Sequence, residues 1–234
     1  MVTVKREEFL EKVEVASRVA SKDHPIELLR NLCFRGGLLL AYNQKCGVVQ
    51  KCELGWDFAI AVDRFLPIIK SLSGDEITLE KKGTVLHVKC GRTVAKLGTS
   101  DTKGFPHFLP KDKTVYYSGS DFGDAASSVL FCLAANKTIP SLGGVAFRGQ
   151  YVYGANPSAR VARAKLSGSV EKPIVVTEEG IREMVRLGDF HHILSDGNNL
   201  HCGTTDPLRL AVLSTLQDSN YPFNTLDSAF SAAI

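Results

Sequence analysis

Residues 26–48 read IELLRNLCFRGGLLLAYNQKCGV, and 113 positions later residues 139–161 read IPSLGGVAFRGQYVYGANPSARV. Ile26 falls on Ile139, Leu29 on Leu142, Asn43 on Asn156 and Val48 on Val161. Phe34-Arg35-Gly36 falls on Phe147-Arg148-Gly149. Upstream, Phe9 meets Phe122, which makes eight identities over residues 9–48 without a gap. Downstream the shift drifts: Leu86-His87 matches Leu200-His201 at 114, and Phe105-Pro106 matches Tyr221-Pro222 at 116. Small loop insertions produce such a drift. A repeat of this length is a duplicated domain, since solenoid units run to about 20–50 residues.

Composition agrees with two domains. The chain has 234 residues, 44% of them hydrophobic, enough to fill two ordinary cores. No apolar run approaches the ~18 residues of a membrane span. Residues Met1–Glu8 are charged and carry no apolar signal region, so an intracellular place is the default expectation. The formal charge of +3 permits an anionic partner without demanding one. The six cysteines, at 33, 46, 52, 90, 132 and 202, include no CxxC pair, which points to reduced, buried side chains and away from zinc.

Both halves give the same order of elements. Phe9, Val13, Ala16 and Ala20 recur at helical spacing over Glu7–Ala20. Leu29–Phe34 and Leu38–Tyr42 read as a hairpin turning at Arg35-Gly36-Gly37. Strands at Val48–Glu53 and Phe58–Val62 lead to a helix over Asp63–Leu72, with Leu66, Ile69 and Leu72 inward. Strands follow at Glu76–Glu80, Val85–Cys90 and Thr93–Leu97. In the second half a helix spans Asp121–Leu133, and Gly144–Arg148 with Tyr151–Gly154 reads as a hairpin. Strands at Arg160–Leu166 and Ile174–Thr177 precede a helix at Glu178–Leu187, and strands at His191–Leu194, Asn199–Cys202 and Leu208–Ser214 close the unit. Leu109-Pro110-Lys111-Asp112-Lys113 has the composition of an exposed linker. The expected domains are 1–108 and 118–234, joined by 109–117.

This order of elements, closed by Phe105-Pro106 or Tyr221-Pro222, resembles one domain of a DNA sliding clamp. The segment FPHFLP at 105–110 resembles the domain-closing segment of the bacterial beta clamp, and NPSARVARA at 156–164 resembles that clamp's Asp-Gly-His-Arg-Leu-Ala turn, with one extra residue and Asn for Asp. The bacterial clamp has three such domains per chain. This chain has two, as do the eukaryotic clamp (proliferating cell nuclear antigen) and the clamps of some phages.

The resemblance implies an α+β fold: two tandem clamp domains, each of curved antiparallel sheets with two helices on the inner face. It implies a DNA polymerase processivity factor, a homotrimeric ring around double-stranded DNA that tethers DNA polymerase and is opened by a clamp loader. No catalysis, cofactor, metal or membrane is expected, and the setting would be a bacterial or phage-infected cytoplasm. The cations that would line the hole are Arg18, Lys22, Lys70, Lys137, Arg182 and Arg186. Arg182 and Arg186 lie opposite Ile181, Met184 and Val185, while Glu7, Glu11 and Glu14 share the polar face of the first helix with Arg18 and Lys22. A partner-peptide pocket would use Tyr42, Val48, Val115, Tyr116, Tyr117, Ala232, Ala233 and Ile234. Edge strands near Thr93–Lys96 and Arg160–Lys165 would pair between chains.

Other readings stay open or fall on their residues. A monomeric processivity factor would hold DNA on one basic face, and a stronger positive bias than +3 would mark it. An enzyme or structural protein on a duplicated scaffold would gather titratable groups in one half only. Asp121-Phe122-Gly123 spells the kinase metal motif but begins a helix and lacks a Gly-rich loop. His191 and His192 are neighbours on a strand and so point to opposite faces, which weakens a shared site with Asp196. His87 and His201 are repeat equivalents, which favours a structural role. Asn136-Lys137-Thr138 fits the glycosylation pattern, with no consequence in the absence of a secretory signal.

Overall fold

The structure, a computed structural model, describes residues 1–20, 23–108, 114–133, 140–156, 160–187, 190, 192–196, 198–204, 209–216 and 221–232. The chain divides into two compact units, the first carried by Met1–Phe108 with Thr205–Leu210 and the second by Leu109–Thr204 and Ala211–Ile234.

In the first unit β1 (Val2–Lys5) and α1 (Arg6–Val19) precede β2 (Asn31–Arg35), β3 (Leu38–Tyr42), β4 (Cys46–Lys51) and β5 (Phe58–Ala61). Then come α2 (Val62–Ser71), β6 (Glu76–Lys82), β7 (Val85–Cys90) and β8 (Thr93–Gly98). One antiparallel ladder runs β5-β2-β3-β4 and another β1-β6-β7-β8. The hairpin turn expected at Gly36 needs a left-handed residue, and Gly36 has φ 59°. Phe9, Val13 and Ala16 form the buried stripe of α1. Phe9 meets Phe34 and Phe65, and Phe34 stacks on Phe58 at 4.6 Å. Burying each such ring contributes about 1.5–3 kcal/mol, so this cluster joins both helices to the strands beneath them.

The second unit repeats the plan. Its elements are β9 (Thr114–Tyr117), α3 (Phe122–Val129), a 3-10 turn at Leu130–Cys132, β10 (Gly144–Asn156), β11 (Arg160–Thr177) and α4 (Glu178–Leu187). Then follow β12 (His192–Ser195), β13 (Asn199–Thr204), β14 (Arg209–Leu216) and α5 (Phe223–Ala232). The registers carry the duplication. Asn31 pairs with Ala61 and Phe34 with Phe58; Gly144 pairs with Thr177 and Phe147 with Ile174. Leu38 pairs with Lys51 and Tyr42 with Gly47; Tyr151 pairs with Lys165 and Ala155 with Val161. Structurally, then, Val161 corresponds to Gly47, one residue away from the match read on the sequence. Phe147 stacks on Phe122 at 4.3 Å, as Phe34 packs on Phe9.

Several expectations need correction. The charged N-terminus contains β1. Thr114–Tyr117, expected in the linker, pair with β12 as an edge strand. The buried face of α2 is Val62, Phe65 and Ile69; Leu66 is half-exposed. The helix from Asp121 ends at Val129 and tightens into the 3-10 turn. The strands expected at 144–148 and 151–154 run on as β10, with register shifts around Gly149, and those at 160–166 and 174–177 run on as β11. The C-terminal segment, to which no element was assigned from the sequence, forms α5 through Ala232.

The six cysteines are free and buried. Burial pushes the Cys33 and Cys52 thiols up to about 11, which makes them poor nucleophiles.

Candidate nucleic-acid interface and peptide-docking residues

α1 packs beside α2 and also against β3 and β4; α3 packs beside α4 and also against β10 and β11. Each unit therefore stacks a helix pair on its strands, with the outer helix faces in solvent. Arg18 is exposed near the end of α1 and Lys70 is exposed on α2. Lys70 Nζ lies 2.9 Å from Glu14 of α1. On α4, Arg182 donates to Glu178 at 2.7 Å and Arg186 to Glu183 at 3.4 Å. Three of these four cations thus already hold a carboxylate. The Lys70–Glu14 and Arg182–Glu178 pairs are solvent-accessible and worth only about 0–1 kcal/mol, so a phosphate can exchange for either carboxylate at little cost.

Glu183 differs from the other acids, because it is buried and its Oε1 accepts no hydrogen bond. Ile181 and Met184 are buried as expected, but Val185 is 41% exposed and shares the solvent side with Arg182 and Arg186. Lys22 and Lys137 lie outside the described residues. Arg64, also exposed on α2, was not among the cations picked from the sequence. It lines a cleft of about 350 Å³ with Arg30, Glu27 and Asp63. Two arginines and two acids cancel there, so the cleft has no net pull on an anion.

Of the peptide-docking candidates, Val48 is fully buried and Tyr42 is half-exposed, stacked on Phe108 at 4.9 Å. Gly47 lets that stack close, since a Cβ there would sit 2.9 Å from the Phe108 ring. Val115 is 58% exposed. Tyr116 and Tyr117 are buried, and the Tyr116 hydroxyl donates to the Lys172 carbonyl at 2.7 Å. The Tyr117 hydroxyl donates to Asp121, which also accepts from the Ser167 amide at 2.6 Å. Burial raises the Asp121 carboxyl, but these hydrogen bonds outweigh it and hold the group below its ordinary value. Beside β9 a cleft of about 460 Å³ is lined by Val115–Ser118 and Gly168–Glu171. Ala232 ends α5, while Ala233 and Ile234 lie outside the described residues.

The sequence reading missed what fixes α5. Leu226 joins a buried cluster with Ala146, Tyr153 and Val175, and Phe223 and Phe230 pack at its rim. Tyr153 donates to Asp227 at 2.5 Å, and the Arg148 and Arg163 guanidinium groups approach Asp227 at 3.7 Å. Arg163 also lies over the Tyr151 and Phe230 rings at 4.3 and 4.5 Å.

His201 is held inside the fold, and His191 lies outside the described residues. His201 is buried with Nε2 2.8 Å from Asp196, whose other oxygen accepts the Asn198 and Asn199 amides. Among the described residues, no cluster of three His, Cys, Asp or Glu side chains is placed to hold a metal ion, and no helix is long and apolar enough to cross a membrane.

No family model and no curated protein matches the sequence. Solved structures do match. The DNA polymerase III beta chain of Streptococcus pneumoniae superposes with a TM-score of 0.82 at 14% identity, over 94% of this chain and 65% of that one. The DNA polymerase sliding clamp of Bacillus subtilis gives 0.80 at 16%, over 94% and 65%. The DNA polymerase III subunit beta of Pseudomonas aeruginosa gives 0.83 at 18%, over 96% and 67%. The chain thus spans about two thirds of the length of these proteins. Nearly all of it, read as a doubled α+β unit, adopts the fold of the sliding clamps.

Proposed function

We propose that this chain is a DNA polymerase processivity factor whose copies join head to tail in a ring of three around duplex DNA. One observation carries the reading. Each unit has a fourth strand and a last strand in matching positions, and in each unit only one of the two is buried. In the first unit β4 buries Cys46–Gln50, while β8 is exposed or half-exposed along its length. In the second unit Ala211–Leu213 of β14 are buried, while the counterpart of β4, Arg160–Lys165, is exposed or half-exposed throughout. The open edges are thus unlike. Pairing β8 of one copy with 160–165 of the next is a heterologous contact, which closes a ring when the rotation fits.

In that ring Arg18, Lys22, Lys70, Lys137, Arg182 and Arg186 would face phosphates without reading sequence. A polymerase tail would dock beside exposed Val115, at the cleft along β9, and gain processivity through effective concentration. A loader would open the ring, and the assembly would act in a bacterial or phage-infected cytoplasm.

Sedimentation equilibrium tests the assembly. The expected particle has three times the 25.5 kDa mass of the chain. A single-chain mass at every concentration would favour the monomeric processivity factor instead.

A further inference from the structure

The two open edges carry the same sign of charge. Thr93–Gly98 contains Lys96 and no acid; Arg160–Lys165 contains Arg160, Arg163, Lys165 and no acid. Among the described residues no carboxylate lies within ion-pairing distance of Lys96, Arg160 or Lys165, and only Arg163 is shared, with Asp227 at 3.7 Å. Lys96 sits in the middle of β8, opposite His87 of β7, so the strand beside it offers no acid at that position either.

The same edges hold exposed apolar side chains. Val94 is 53% exposed, Val161 42%, and Phe131, in the 3-10 turn packed against β10 and β11, 67%. An edge-to-edge contact between two copies would bury these, form a new ladder, and bring like charges together.

We infer that the joint between copies is a like-charged seam, held by apolar contact and strand hydrogen bonds and tightened by salt. This rests on the proposed head-to-tail assembly. Paired strands lie about 4.8 Å apart. The screening length is about 10 Å at 0.1 M salt and about 3 Å at 1 M, so it crosses the strand spacing within an accessible range. Cations facing one another across the seam repel at low salt and are screened at high salt. Most charged interfaces behave the other way, because salt weakens attraction between opposite charges. The ring would therefore be loosest in dilute buffer.

Light scattering on the full chain across a salt series, beside the variant Lys96→Glu, tests this. For the unaltered chain the association constant should rise roughly tenfold as the screening length falls below the strand spacing. Lys96→Glu should associate roughly tenfold more tightly in dilute buffer and lose affinity as salt is added. Association of the unaltered chain that weakens with salt would overturn the seam and leave the ring standing. A Lys96→Glu variant that keeps the original salt slope would also overturn it, because the slope would then reflect general salting-out. No association of either protein at any salt would remove the ring and the seam together.

Discussion

Proline at Val94 is expected to lower self-association by at least about a hundredfold while leaving the first unit folded. The asymmetry follows from strand parity. β7 and β8 meet in a two-residue turn at Gly91-Arg92, with Cys90 opposite Thr93. In such a hairpin the flanking pair exchanges both backbone hydrogen bonds, and the next pair exchanges none. Thr99 N donates to Thr84 O at 2.7 Å, two steps on from Leu97, which fixes the same parity at the far end. Thr93, Ala95 and Leu97 therefore bond to β7, and the amides of Val94 and Lys96 point to the open side. Proline at 94 deletes a donor that the monomer does not use and that a neighbouring strand would need. Thermal denaturation should show near-native stability, and light scattering should show single chains. A variant that still assembles would place the joint elsewhere.

Exchanging Arg18, Lys70, Arg182 and Arg186 together for glutamine is expected to weaken duplex binding by about a hundredfold or more in dilute buffer. Each lost phosphate contact should lower the slope of log affinity against log salt by about 0.9. Neutral replacement is preferable to charge reversal here. Glutamate at 70 would face Glu14, and glutamate at 186 would face Glu183, which is buried. Either would unsettle a helix and confuse binding with folding. Fluorescence anisotropy on random-sequence duplexes of several compositions should show equal losses for all. An unchanged affinity would remove these four cations from the interface; a loss confined to one sequence would mean that bases are being read.

Much of this was legible beforehand. The Phe9/Val13/Ala16 stripe gave α1, and Phe34-Arg35-Gly36 with its echo at Phe147-Arg148-Gly149 marked matching positions in both units. On α2 Ile69 and Leu72 are buried as read, but Phe65 takes the inward place expected for Leu66, because the two are adjacent apolar residues and periodicity alone does not choose between them. β9 was hidden by the Pro/Lys/Asp run before it, although Thr114-Val115-Tyr116-Tyr117 is good strand chemistry. α5 was overlooked although Phe223, Leu226 and Phe230 recur at helical spacing, because its anchor, Asp227 with Tyr153, Arg148 and Arg163, assembles only in three dimensions. The pairing of Lys70 with Glu14 is likewise a contact between two helices far apart in the chain. Least legible was which edges stay open. β4 and 160–165 are both short and strand-like, and only exposure in the folded chain separates them.

Topological retention on DNA tests the central claim most directly. Chains assembled with nicked circular duplex, cross-linked and then passed over a sizing column in high salt should elute with the circle, and a single cut that linearises it should release them. Equal retention on circular and linear duplex, or loss from both once a three-chain cross-linked species is present, would contradict an assembly that encloses the double helix.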